Sequence, residues 1–127
     1  MTQEQKDLLI KDLCARLPYG VKVQTTYINP RTKERTDIGT DVLSTVEISM
    51  LIDGYEEHKP YLFPLSSMTE EQKIIYGDLC YAIIHSLAWD MQVALNELND
   101  WLNKNHFDHN NLIPMDLALD ATNLNIY

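Results

Sequence analysis

Basic residues are scarce. The 127-residue chain holds 10 lysines and arginines against 19 aspartates and glutamates, a formal net charge of −9. A surface with that excess repels phosphate backbones, so direct nucleic-acid binding is not expected. Glycine numbers four, and neither GxGxxG nor GxxxxGK[ST] occurs, which removes the loops that cradle nucleotide phosphates. Of the two cysteines, Cys14 and Cys80, neither belongs to a CxxC pair, and both are expected as buried, reduced thiols. His85 follows Cys80 at a helical spacing that turns the two side chains apart, so a thiol nucleophile with a histidine base is not expected. Long apolar runs are missing too. Residues 81–89 are interrupted by His85 and Ser86 and fall far short of a bilayer span. The opening Thr2-Gln3-Glu4-Gln5 has neither the basic nor the apolar stretch of an export signal, and a cytoplasmic location is the expectation.

What is present suffices for one compact domain spanning residues 1–127. Hydrophobic residues make up 45% of the chain, above the composition at which chains stay disordered. A folded protein of this mass keeps roughly 6,900 Å² of surface exposed. Charge is unevenly placed: residues 1–40 carry 7 basic and 5 acidic groups, whereas residues 41–127 carry 3 basic and 14 acidic. A solvated acidic face explains this, and a basic partner is the alternative.

Thr2 with Gln5 forms a capping box that starts a helix. Leu9, Leu13 and Leu17, with Leu8, Ile10 and Cys14 beside them, supply its apolar stripe, while Lys6, Asp7, Lys11 and Asp12 face water. Pro18 and Gly20 end it. From Val21 the period becomes two, with Val21, Val23, Thr25 and Tyr27 on one side of a strand. Asn29-Pro30-Arg31 marks a turn, and residues 32–37 return as a short, exposed edge strand. Residues 42–52 read as the best strand, with Val42, Val46, Ile48, Met50 and Ile52 buried, and Asp53-Gly54 as the hairpin that folds Tyr55 back onto it. Pro60 and Pro64 confine residues 61–63 to an edge strand or extended loop. Thr69 and Gln72 repeat the capping box, and Ile75, Leu79, Ile83, Leu87, Met91, Leu95, Leu98 and Leu102 then fall at helical steps. One helix of this length exceeds the width of such a domain, so a break is expected near residues 86–90. The echo of Thr2-x-Glu4-Gln5-Lys6 in Thr69-x-Glu71-Gln72-Lys73 reflects shared capping chemistry, because the register of the rest slips.

The resulting fold class is α+β: an N-terminal helix, an antiparallel sheet of three to four strands, then one long kinked helix or two consecutive helices packing on one sheet face. A sheet edge completed across a homodimer is the alternative.

Few residues are grouped for chemistry. His106, Asp108 and His109 place two imidazoles and a carboxylate within four residues, yet a loop His-x-x-His lacks the further ligands of a metal site, and helix-end packing and capping explain it as well. No cofactor is expected. Trp89 and Trp101 lie on a similar side of helical sequence, as core or as a partner groove.

Three blocks carry a resemblance: Cys14-Ala15-Arg16-Leu17-Pro18-Tyr19-Gly20-Val21; Pro60-Tyr61-Leu62-Phe63-Pro64-Leu65-Ser66-Ser67-Met68-Thr69-Glu70-Glu71; and Asp100-Trp101-Leu102-Asn103-Lys104-Asn105-His106-Phe107-Asp108 through Leu117-Ala118-Leu119-Asp120-Ala121. Together they resemble small prophage and mobile-element proteins of gut Bacteroidales, to which no activity is assigned. The resemblance implies a genomic setting and no chemistry. It departs at His109-Asn110-Asn111, where some relatives carry Tyr-Arg-Gly, so no role resting on that arginine carries over. The expectation is a non-enzymatic accessory protein that holds a protein partner through its acidic surface or through Tyr61, Phe63, Trp101 and Phe107. The alternatives are a metal-dependent enzyme on His106, Asp108 and His109, and a DNA mimic with Glu97 and Asp100 in an acidic ridge.

Overall fold

The computed structural model describes residues 1–86 and 90–127. Leu87 of the expected apolar stripe, Trp89, and the middle of the expected break over residues 86–90 lie outside the described residues. The fold is α+β, as expected. It runs α1 (Gln3–Arg16), β1 (Lys22–Ile28), β2 (Arg35–Val42), α2 (Thr45–Asp53), β3 (Glu56–Pro64), α3 (Glu70–Ile84), α4 (Met91–Lys104), β4 (Phe107–Asp108) and β5 (Leu119–Asp120). Hydrogen-bonded neighbours follow the order β2-β1-β3-β4, and β5 also pairs with β3. The β2-β1-β3 part is antiparallel. The two short strands add parallel pairings that the antiparallel reading does not contain.

Both threonine capping boxes form, Thr2 with Gln5 and Thr69 with Gln72, so α1 and α3 begin where the sequence puts them. Val23 and Thr25 of β1, with Val21 just before it, are buried on one side, and Tyr27 at the far end of that side is exposed. β2 is an edge strand exposed along its whole length, a few residues later than expected because the turn runs further: the Asn29 side chain accepts from the amides of Arg31 and Thr32.

The strand expected over residues 42–52 is a correction. Val42 ends β2, and Thr45–Asp53 is a helix. Ser44 and Glu47 form a third capping box, and the buried residues are Ile48 and Leu51, three apart, while Val46 is 67% exposed. β-branched content suggested a strand, but the capping chemistry and a helical period prevailed. Gly54 is accordingly no hairpin residue. It sits at φ +81° as the helix C-cap, its amide donating to the carbonyls of Met50 and Leu51. Only glycine adopts that conformation freely, so Gly54→Ala is expected to lower stability by about 1 kcal/mol, read from the urea midpoint.

Residues 61–63 continue β3. β3 pairs with β1 over Glu56 to Pro60 and with β5 and β4 over Tyr61 to Pro64, so Pro60 stands where the pairing changes hands. There the Tyr127 hydroxyl accepts from the Lys22 amide and donates to the Tyr61 carbonyl, continuing the ladder with a side chain.

Leu9 and Leu13 of α1 and Ile48 and Leu51 of α2 pack with Val21, Val23 and Leu62 of the sheet, closed by Leu112, Leu117 and Ala118. A second cluster joins the helical hairpin to the sheet's far end, where Met68, Leu102 and Phe107 are buried with Phe63, Tyr76, Leu98 and Trp101 around them. Three further expectations are overturned. Asp12 is buried instead of facing water, Cys14 is exposed, and Cys80 is half-buried. Asp12 and Cys14 stand on either side of Leu13, so a small rotation of the stripe exchanges them.

Candidate functional site

The segment after α4 begins at His106, whose backbone takes φ +61°. Its carbonyl accepts from the Phe63 amide at 2.8 Å, and its ring stacks on Tyr127 with centroids 3.7 Å apart. Asp108 accepts from the amides of Leu112 and Ile113, both at 2.9 Å, and so caps the following turn. His109 Nε2 lies 2.8 Å from Asn103 Oδ1. The three residues of the metal hypothesis thus turn to three separate partners. Among the described residues no group of three His, Cys, Asp or Glu side chains is placed to hold a metal ion.

What organises this segment is Arg16, which is 0% exposed. Its Nε donates to Asp12 Oδ2 at 2.7 Å and its Nη2 to the Phe107 carbonyl at 2.7 Å. Asn110 Nδ2 donates to Asp12 Oδ1 at 2.8 Å. One buried ion pair therefore ties α1 to the loop 91 or more residues later in the chain. Burial, with the Arg16 charge, pushes the His106 imidazole down to about 4. Burial and Arg16 also lower His109, against the pull of Asp12 and Asp108. A cleft of about 250 Å³ opens beside Asp12, Asn103, His109 and Asn110. Its buried groups largely satisfy each other, which makes it a joint between elements.

A second buried imidazole was not singled out from the sequence. His58 lies fully buried in β3, with Nδ1 3.0 Å from Thr25 Oγ1 and Nε2 3.3 Å from Glu56 Oε1, the latter without hydrogen-bond alignment. Burial lowers its pKa against the opposing influence of Glu56 and Glu47. Its neighbours Thr25 and Glu56 line a hollow of about 240 Å³ together with Asp41 and Glu47, and His58 itself lines a separate one of about 200 Å³ beside Gln5, Leu9 and Glu57. The signal was the alternation of 56, 58, 60 and 62, legible once β3 is known to pair with β1.

The aromatic residues expected to meet a partner are drawn inward. Phe107 is buried, which corrects its assignment to a surface; it stacks on Trp101 at 5.6 Å and meets Phe63 edge-on at 6.4 Å. Phe63 and Trp101 are half-buried around it. Tyr61 is separate, its hydroxyl 3.1 Å from Thr40 Oγ1.

The uncovered apolar surface is elsewhere. α3 has 15 residues and none is buried. Its inner side, Tyr76, Leu79 and Ile83, is half-buried toward α4, whereas Ile74, Tyr81 and Ile84 are 66%, 63% and 77% exposed. Met91 and Val93 extend exposed apolar surface onto α4. Glu97 and Asp100 are also exposed on that helix. No helix among the described residues is long and apolar enough to cross a membrane.

Compared with protein-family models, curated proteins and solved structures, the chain matches none.

Proposed function

We propose that the chain is a non-enzymatic accessory protein of a phage or mobile element, acting by protein–protein contact through the outer face of the α3–α4 hairpin. The observation that carries this reading is a four-turn helix, apolar on two sides, with one side half-buried toward α4 and the other exposed. Exposed apolar side chains scattered singly are ordinary, but several on one hairpin mark an interaction surface. The mobile-element resemblance supplies the setting. The metal-dependent alternative draws no support from three side chains that each have a separate partner.

A photo-reactive residue placed at Ile74 is expected to give cross-linked adducts in expressing cells, and the same residue at exposed Asp7 of α1 to give few. Equal yields from the two positions would count against the reading. Because both sites are exposed, stability should change by less than about 0.5 kcal/mol in either variant.

A further inference from the structure

We infer that the occupant of this face is a second copy of the same chain, seated antiparallel on α3. The inference rests on the interaction reading above and names its partner. The stripe of α3 that points away from α4 runs Glu70, Ile74, the pair Gly77-Asp78, Tyr81 and His85, at steps of three and four residues. That stripe mirrors itself about the Gly77–Asp78 bond. A second α3 laid antiparallel over it sets Ile74 against Tyr81 of the second copy, and Glu70, which pairs through Oε1 with Lys73 of its own helix, against His85, each twice. A twofold contact requires this self-complementarity.

Three observations favour a second copy. Gly77 sits exposed at the crossing point and carries no side chain, so two helix backbones can approach closely there. The Tyr81 and His85 rings pack with centroids 4.0 Å apart, which holds the imidazole along the stripe, within reach of a carboxylate from the facing helix. Exposed area agrees as well. The chain leaves 7933 Å² accessible, about 1,000 Å² more than the roughly 6,900 Å² usual for its mass. A specific interface takes about 800 Å² from each partner. The competing route to a dimer, strand addition at β2, is discouraged by Arg35, Asp37 and Asp41 on that edge and by the irregular register between Thr25 and Thr26 opposite it.

Light scattering on the full chain from about 1 to about 100 µM is expected to show a dimer forming with a midpoint in the micromolar range. His85→Glu brings carboxylates together at both ends of the contact and should weaken dimerisation about tenfold or more. Glu70→His removes the acceptor at both ends and should also weaken it. The exchange Glu70→His with His85→Glu rebuilds the pair and should restore the original midpoint. A chain that stays monomeric throughout overturns the inference; adducts between Ile74-labelled chain and other proteins would then keep the interaction reading alone. A dimer indifferent to all three variants also overturns it, because its contact lies elsewhere.

Discussion

Asp12→Ala is expected to cost about 3–5 kcal/mol of folding stability. Arg16 has no access to water, and among the described residues its charge is balanced by Asp12 alone. One guanidinium nitrogen, Nη1, already lacks a hydrogen-bond partner. Removing the carboxylate leaves a buried cation with only the Phe107 carbonyl to hold it, and frees Asn110 as well. The cost is mostly that of the stranded charge, because the attraction of a buried pair is largely offset by the desolvation of both ions. Asp12→Leu combined with Arg16→Met is therefore expected to recover most of the loss, and Asn110→Ala to cost only about 1 kcal/mol. Urea unfolding of the three variants checks this. A single-variant loss below about 1 kcal/mol would mean that water reaches the guanidinium and that the joint between α1 and the His106–Asn111 loop is dispensable.

Acidification from pH 7 to pH 4 is expected to destabilise the protein before its carboxylates titrate. His106 is lowered to about 4, and His58 and His109 are lowered as well, in all three first by burial. An imidazole with a folded pKa below its unfolded value near 6.5 gives the unfolded chain the greater proton affinity. Its contribution is full above pH 6.5 and declines as pH falls, levelling off below the folded value. For His106 the window is from about 6.5 to about 4, and the contribution is about 1–2 kcal/mol once its half-exposed position is allowed for. His58, fully buried, adds in the same direction. Glu47 and Glu57 act in a lower window: burial raises Glu47 but its bonds to Ser44 more than offset this, and Arg35 holds Glu57 down. Denaturant midpoints at pH 7.5, 6, 5 and 4 separate the two. His106→Asn tolerates the positive φ of that position and should flatten the upper window. A midpoint unchanged between pH 7.5 and 5 would show that the imidazoles are hydrated.

These expectations show where the sequence was readable. Local signals that need only their neighbours succeeded: the threonine caps of α1 and α3, the two-residue period of β1, and the break between α3 and α4. Ser44 and Glu47 carried the same capping signal, but β-branched residues around them outweighed it, and α2 was taken for strand. The His106-Phe107-Asp108-His109 run groups chemically capable side chains, and burial lowers both of its imidazoles. Its partners, Arg16, Asn103 and Tyr127, lie on other elements.

By itself the chain determined its class, its charge, the starts of α1 and α3 and the lack of any phosphate-binding motif, because each follows from composition or from contacts a few residues apart. Only the tertiary structure decided that Asp12 is buried and Cys14 exposed, that His58 meets Thr25, and that α3 keeps Ile74 and Tyr81 in water. Those outcomes depend on which face of an element meets another across tens of residues, and a rotation of one side-chain step on a helix reverses them.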